Sequence, residues 1–352
     1  MKKTLVFKVN PKNPEIATIR KAACIIRNGG LVAFPTETVY GLGADALNAE
    51  AVLALFKAKK RPLDNPPIVH VGRPEDVYRL AVEVPAKAKI LMRTFWPGPL
   101  TFVFKRSSIV PSVTVAGLDT IAVRMPKHNV ALALIRESGC PIAAPSANLA
   151  GRPSPTMAEH VLEDLNGQID AVLDAGPTKI GVESTVLDVT VDPPQILRPG
   201  GTPREALEAV IGKVELHPVA VAEKKLPVER TRSPGMKHRH YAPRAKLIVV
   251  EGELSATVEK VMELVNHYKN QNMRVGVLAT DETVGFYGAD VVKSLGSRSR
   301  LDVIAKNLFR LLREFDGEGV DIIIAEGVPT EGLGLAVMNR LRKASGYRIV
   351  KA

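Results

Sequence analysis

Apolar positions along the chain follow two spacings, and the change between them separates helices from strands. LVFKV (5–9) reads as a strand, and Ile16, Ile19, Ala23 and Ile26 then recur at helical spacing up to the Gly29-Gly30 pair, a C-cap signal. Apolar runs at 31–34, 68–71, 100–105, 121–124, 142–144, 171–173 and 185–189 predict further strands. Helical spacing marks 49–60, 74–80, 85–95, 130–137, 157–166 and 204–211. Because strands and helices are mixed without strict alternation, the first part predicts a twisted, largely mixed sheet flanked by helices. Periodicity lapses over 217–245. It returns with KLIVVE, a helix over 254–269, RVGVLAT, a strand at 291–292, a helix over 301–315, DIIIAE and a helix over 335–345, the βαβ alternation of a small parallel Rossmann-like sheet. The expected organisation is α/β throughout: 1–216 as one domain, 217–245 as a long ordered linker, and 246–352 as a second domain. At 352 residues the chain exceeds what one core usually holds. Neither GVLATDE nor AEGVPTEGLGLA supplies G-x-G-x-x-G after a strand, so no dinucleotide is expected in the second domain.

Composition changes this picture in one respect. With 45% hydrophobic and 24% charged residues the chain has an ordinary globular make-up. Its apolar runs are strand-sized and its start turns polar early, so no membrane span, no signal peptide and no membrane partner is expected, and a cytoplasmic location is. Cys24 and Cys140 read as small core residues, not as a disulfide or a zinc site. The formal charge of +11 favours anionic partners, and it is unevenly placed: 223–246 carries eight Lys/Arg against Glu223 and Glu229, which is +6 of the +11.

The candidate chemistry starts from KAKKRPLDNPPIVH (57–70). A helix from Asn48 ends near Lys60 because Pro62 excludes the helical conformation at Arg61. Lys57, Lys59 and Lys60 alone read as a solvated helix end that complements the dipole. Arg61, on a stiff loop past that end, suits phosphate or carboxylate recognition better. Upstream, LVAFPTETVYGLGADA empties a strand into Thr36, Glu37 and Thr38; downstream, IAAPSANLAGRPSP empties another into Ser146 and Asn148. Open α/β sheets place ligands at such strand ends. No G-x-x-x-x-G-K-[ST] occurs, so a bound triphosphate would be held by side chains: Lys59, Arg61 and Arg198 for charge, Ser146, Ser154 and Asn148 for orientation.

Lys59-x-Arg61 with Ser146-x-Asn148 behind FPTETVYGLG resembles the signature of the YrdC/Sua5 family of threonylcarbamoyl-adenylate synthases, in its two-domain Sua5 form. That resemblance implies a YrdC-like catalytic domain and a reaction in which L-threonine, bicarbonate and ATP give threonylcarbamoyl-adenylate and pyrophosphate, for the t6A modification at position 37 of tRNA. It implies Thr36, His70, Arg124, Ala144 and Ser184 around threonine. Lys59, Arg61, Thr120, Ser146, Asn148, Ser154, Arg198 and Tyr241 would contact ATP, with Lys59 and Arg61 catalytic. Mg²⁺ would accompany ATP, with no protein-held metal and no tightly bound cofactor. Transient contact with a KEOPS-type transferase complex and tRNA is implied as well.

Each residue also has a plainer reading. Thr36 and Thr38 suit an ST-turn, His70 a packed core histidine, Arg124 a solvated strand end and Ser184 a turn cap. Ser146 lacks the G-x-S-x-G elbow of a nucleophile. Glu37 and His70 are equal candidates for the group that deprotonates the threonine amine. The basic linker, with SPGMKHRHYAPR expected as its ordered core, reads either as an active-site lid around His240-Tyr241 or as an RNA-binding strip. The competing function is accordingly a non-catalytic RNA-binding module. A carbamoyl-transfer domain of the hydrogenase-maturation type is disfavoured, since the chain has no zinc-finger cysteines.

Overall fold

The structure is a computed structural model that describes residues 3–224 and 240–352. The N-terminal unit contains strands β1 (Leu5–Lys8), β2 (Val32–Phe34), β3 (Gly41–Asp45), β4 (Val69–His70), β5 (Leu100–Lys105), β6 (Thr120–Arg124), β7 (Ile142–Ala143), β8 (Ala171–Asp174), β9 (Thr185–Asp188), β10 (Gln195–Arg198) and β11 (Glu215–Leu216). Its helices are α1 (Ile16–Arg27), α2 (Ala49–Lys59), α3 (Val77–Leu80), α4 (Ala86–Phe95), α5 (Asn129–Ser138), α6 (Ala158–Leu165), α7 (Arg204–Ile211) and α8 (Pro218–Val221). The C-terminal unit has strands β12 (Lys246–Glu251), β13 (Val275–Ala279), β14 (Val291–Ser294), β15 (Ile322–Glu326) and β16 (Ile349–Lys351), with helices α9 (Leu254–Lys269), α10 (Leu301–Glu318) and α11 (Gly334–Ala344).

The first unit is one mixed sheet in the order β1-β8-β2-β3-β7-β4-β6-β5-β9-β10-β11; the second is an all-parallel sheet, β14-β13-β15-β12-β16. Mixed and parallel sheets stand as the hydrophobic pattern indicates. The pattern does not reveal β3, β10, β11 and β16: GLGAD is glycine-rich, the other three are short, and β11 and β16 have no fully buried position. Cys24 is exposed and Cys140 half-buried, both as free thiols, which corrects their reading as core residues. Helix α1 buries Ile19, Ala22, Ala23 and Ile26, and Cys24 falls off that stripe.

Helix α2 ends as the proline rule requires. Asn48 caps its start by accepting from the Glu50 and Ala51 amides, and Lys60 takes a left-handed conformation (φ 50°) that turns the chain into the Arg61 loop. The two units share an apolar interface, since Val39 and Val182 of the first pack with Leu308, Phe309 and Leu312 of α10 and with Tyr241. Gly181 lies where they approach most closely; a Cβ there would come within 2.4 Å of the Lys306 Cα, and its φ of +84° already favours glycine.

Candidate active site

One cleft gathers most of the residues singled out from the sequence. Its walls include Thr36 and Thr38 after β2, Ile68 and His70 at β4, Arg124 closing β6, Ala144, Ser146 and Asn148 after β7, Ser184 ahead of β9, and Arg198 closing β10. Arg61, Arg152, Glu183, His240 and Tyr241 complete it. Room inside amounts to about 50 Å³.

Arg61 and Arg198 enter this cleft from rigid supports. Arg61 donates from Nε to the Asn65 carbonyl (2.8 Å) and from Nη2 to the Pro66 carbonyl (3.2 Å), so the Pro66-Pro67 turn fixes its fork. Burial, with Arg198 among the groups around it, lowers its pKa to about 10. Arg198 donates from Nε and Nη2 to the Ser184 carbonyl (3.2 and 3.0 Å) and from Nη2 to Ser184 Oγ (3.2 Å). The turn that follows it admits only glycine at 200, because a Cβ would stand 2.2 Å from the Ser184 carbonyl carbon. Two cations on fixed backbones, Arg198 buried and Arg61 half-buried, make a preformed anion site.

Lys59 does not face the cleft. It is buried, and its Nζ donates to the carbonyls of Ser146 and Asn148, tying the end of α2 to the loop after β7. Burial first, and Arg61 second, hold its pKa well below that of an ordinary lysine. Its contribution here is to shape the loop. Ser154 is likewise set back: its Oγ donates to Glu183 Oε1 at 2.6 Å. Thr120 is not among the lining residues; it is half-buried at the start of β6, paired with Lys105, four residues from Arg124.

On the other wall, the Thr36 hydroxyl accepts from the Thr38 and Val39 amides and donates to the Val39 carbonyl (2.7 Å), so the ST-turn and the cleft position coexist in one residue. Ser146 Oγ donates to Asn148 Oδ1 (2.6 Å), and Asn148 Nδ2 donates to the Leu149 and Arg152 carbonyls, which fixes the amide orientation. Ala144 donates its amide to the Ile68 carbonyl (2.8 Å), and the Ser184 hydroxyl meets Thr101 at 2.8 Å.

His70 and Glu37 now separate as candidate bases. Burial pushes His70 down to about 3, with Arg124 adding to the shift, and its Nδ1 lies 3.2 Å from the Ile68 carbonyl. His70 is therefore neutral at physiological pH, with backbone carbonyls of Ile68 and Ile142 as its hydrogen-bond partners. Glu37 forms a buried ion pair with Arg124 at 2.8 Å, oriented so that neither carboxylate oxygen gains a well-formed hydrogen bond. Arg124 also donates from Nε to the Gly98 carbonyl. Arg124 lines the cleft and Glu37 stands behind it, so the pair presents a guanidinium to a carboxylate bound there.

Sequence reasoning missed Glu183 and Arg152, and missed the residues that reach the site from the C-terminal unit. Arg152 pairs with Asp164 and Asp316, and Arg313 of α10 donates to Asp164 (2.9 Å) and the Pro153 carbonyl (2.6 Å). Tyr241 packs on Phe309 (centroids 5.2 Å apart) and under the Arg340 guanidinium (5.5 Å). Burial raises its phenol pKa, Glu183 adding to it. No sequence spacing reports the pairs that join the two units, because their residues lie far apart in the chain: 149 positions for Arg313 and Asp164, 164 for Arg152 and Asp316.

Fold and cleft together define a two-unit α/β protein with a cationic, hydroxyl-lined site where the strands of a mixed sheet end. A family model described as Sua5, YciO and YrdC, telomere recombination, matches residues 24–200, and one described as threonylcarbamoyl-AMP synthase, C-terminal domain, matches 202–346. The chain belongs to this Sua5/YciO/YrdC family. The threonylcarbamoyl-AMP synthase of Pyrococcus abyssi is 54% identical over 333 residues, covering 95% of each chain. That of Bacillus subtilis is 50% identical over 345 residues, covering 97% of this chain and 96% of the relative. The crystal structure of P. abyssi Sua5 complexed with L-threonine matches with a TM-score of 0.94 at 52% identity, over 99% of this chain and 100% of that one.

Proposed function

We propose that the protein is a threonylcarbamoyl-AMP synthase: L-threonine, bicarbonate and ATP yield threonylcarbamoyl-adenylate and pyrophosphate. The observation that supports this reading best is the cleft, whose lining includes Arg124, His70, Ser146, Asn148, Arg61 and Arg198, with Glu37 paired to Arg124 behind it. Full-length relatives of this name, and a solved relative complexed with L-threonine, support it.

Threonine would bind with its carboxylate on Arg124 and its amine toward Glu37, near Thr36, His70, Ala144 and Ser184. The threonine ammonium first gives one proton to Glu37 or to solvent; the free amine then adds to the carbon of bicarbonate, and a second amine proton leaves with the departing hydroxide as water. Glu37 is the better base of the two, since His70 is held neutral with a very low pKa. A carbamate oxygen then attacks the α-phosphorus, the bond to the bridging oxygen breaks, and pyrophosphate departs. Arg61 and Arg198 would neutralise the charge that develops there, oriented by Ser146 and Asn148. Lys59 and Ser154 would act through the loop and through Glu183.

Mg²⁺ would arrive on the triphosphate. Hydroxyl, amide and guanidinium groups dominate the cleft, and Glu183 is engaged by Ser154 and Arg340, a donor set that suits an ion held by phosphate oxygens and water. Its chemistry there would be to offset phosphate charge.

About 50 Å³ of room is well under the ~300 Å³ of a small-ligand pocket. Nucleotide entry would therefore displace His240 and Tyr241 from the mouth, consistent with 217–245 as the connection between a catalytic unit (1–216) and a second unit (246–352). Most of that expected lid, 225–239, lies outside the described residues, as does most of the basic strip that would serve RNA binding. The RNA-binding alternative is not favoured. A product that must reach tRNA implies a cytoplasmic enzyme and a transient encounter with the KEOPS-type transferase complex. Among the described residues no helix is long and apolar enough to cross a membrane.

Pyrophosphate release from Mg-ATP, with threonine and bicarbonate omitted in turn, tests the reading. Release that needs both supports it; equal release without either one contradicts it.

A further inference from the structure

The largest fully buried side chain in the described structure is Arg340, on α11 of the C-terminal unit, and it points out of its own unit. Its Nε donates to Glu183 Oε2 at 2.8 Å and its Nη1 to the Pro199 carbonyl at 2.8 Å, while its guanidinium covers the Tyr241 ring. Glu183 immediately precedes Ser184, and Pro199 immediately follows Arg198; Arg340 thus grips the neighbours of two cleft residues that are bonded to each other. Glu183 itself lines the cleft.

We propose that Arg340 is a positioning residue for the nucleotide site: it neutralises Glu183, so that a carboxylate facing the cleft does not repel the phosphates and Arg198 stays available to them. This rests on the nucleotide reading above. Chemistry supports it from two sides. A site for a polyanion with an uncompensated buried carboxylate in its wall would oppose its own ligand. Burial would raise the Glu183 carboxyl, but Arg340, Arg198 and the Ser154 hydroxyl outweigh it and hold Glu183 below its ordinary range, so the carboxylate is charged and needs its counter-ion. One turn further along α11, Lys343 is buried close to Arg340 and Arg198, and burial with those neighbours lowers its pKa to about 7. Arg340 and Arg198 around one carboxylate, with Lys343 about half protonated near pH 7, leave a buried positive surplus beside the cleft, which an arriving polyphosphate would offset. On this account the C-terminal unit completes the electrostatics of a site built on the other sheet.

The test is Mg-ATP affinity by calorimetry without threonine or bicarbonate, on the full chain, with melting temperature recorded in parallel. Arg340→Gln is expected to weaken ATP binding about tenfold or more, and Arg340→Lys, which keeps the charge, by no more than about threefold. Adding Glu183→Gln to Arg340→Gln is expected to restore affinity to within about threefold of wild type, which loss of a purely structural clamp would not do. Wild-type affinity in Arg340→Gln, or a double variant as weak as the single one, overturns the proposal. Should Arg340→Gln fail to fold, Glu183→Gln alone decides: tighter ATP binding supports charge compensation, and unchanged or weaker binding contradicts it. A wild-type protein that binds ATP yet releases no pyrophosphate with threonine and bicarbonate sinks the synthase reading while leaving this comparison intact. One that binds no ATP overturns both.

Discussion

Two buried glutamates end up in opposite situations. Glu326, the last residue of β15, is fully buried and satisfied inside its own unit by the hydroxyls of Thr280, Thr283 and Tyr287, with Arg298 at 3.6 Å. Glu183 sits in the wall of a cleft and depends on an arginine from the other unit. The first pattern closes on itself and fixes a strand end. The second leaves neighbouring cations, Arg198 and Arg61, facing a cleft. Burial and charge are alike in the two places, and only where the partners come from, and what lies beside them, distinguishes structure from chemistry.

The contrast is sharpest in the cations of the cleft. Arg198→Ala or Arg61→Ala is expected to lower kcat/KM for pyrophosphate release by roughly 100- to 1000-fold, with the fold intact by circular dichroism. A loss under about threefold in both would break the assignment. Glu326→Ala should act the other way round, costing about 3 kcal/mol in denaturant unfolding because Arg298 and three hydroxyls lose their acceptor, while the KM for ATP stays within about twofold. Lys59→Met should combine the two patterns. It removes the Lys59 donor from the Ser146 and Asn148 carbonyls, of which that of Ser146 keeps the Asn148 amide, at about 1–3 kcal/mol of stability, and it loosens the loop that orients Ser146. A stable variant with unaltered kinetics would contradict the loop-shaping role.

A further effect concerns pH. His70 titrates at about 3 when folded against 6.5 as its ordinary value. Between those values the unfolded chain binds the extra proton, so folding stability contributed by neutral His70 is present above pH 6.5 and is lost as pH falls toward 3. The loss is about 1.4 kcal/mol per pH unit at most. His70→Gln should flatten the decline in stability from about pH 6.5 to 4.5, read from urea midpoints at successive pH values. An identical slope in wild type and variant would mean that His70 is not held neutral.

Much of this was legible in the residues. Pro62 and the strand-ending motifs located Arg61, Thr36, Ser146 and Asn148, because prolines and strand-end hydroxyls act locally and leave a local trace. Arg198 stood out for the same reason, ahead of a Pro-Gly-Gly turn. The direction in which Lys59 points was not legible: on the last turn of α2 a lysine can snorkel outward or fold back, and two carbonyls 87 and 89 residues away decided it. Thr120 opens the strand that Arg124 closes, and only Arg124, at the end where β6 meets the cleft, lines it. Arg313 and Arg340 fall within the helices expected at 301–315 and 335–345, whose spacing assigns them no role. Their burial is a property of the interface between units, to which helical periodicity is blind.

The account's central claim is that this cleft joins threonine, carbon from bicarbonate and the α-phosphate of ATP. Incubation with ¹⁴C-bicarbonate, threonine and Mg-ATP, followed by separation of the adenylates, tests it most directly. The expected result is one labelled product that contains AMP and threonine, formed in equal amount with pyrophosphate and lost in Arg198→Ala. ADP and phosphate as the only nucleotide products, or AMP and pyrophosphate without label in any adenylate, would contradict it.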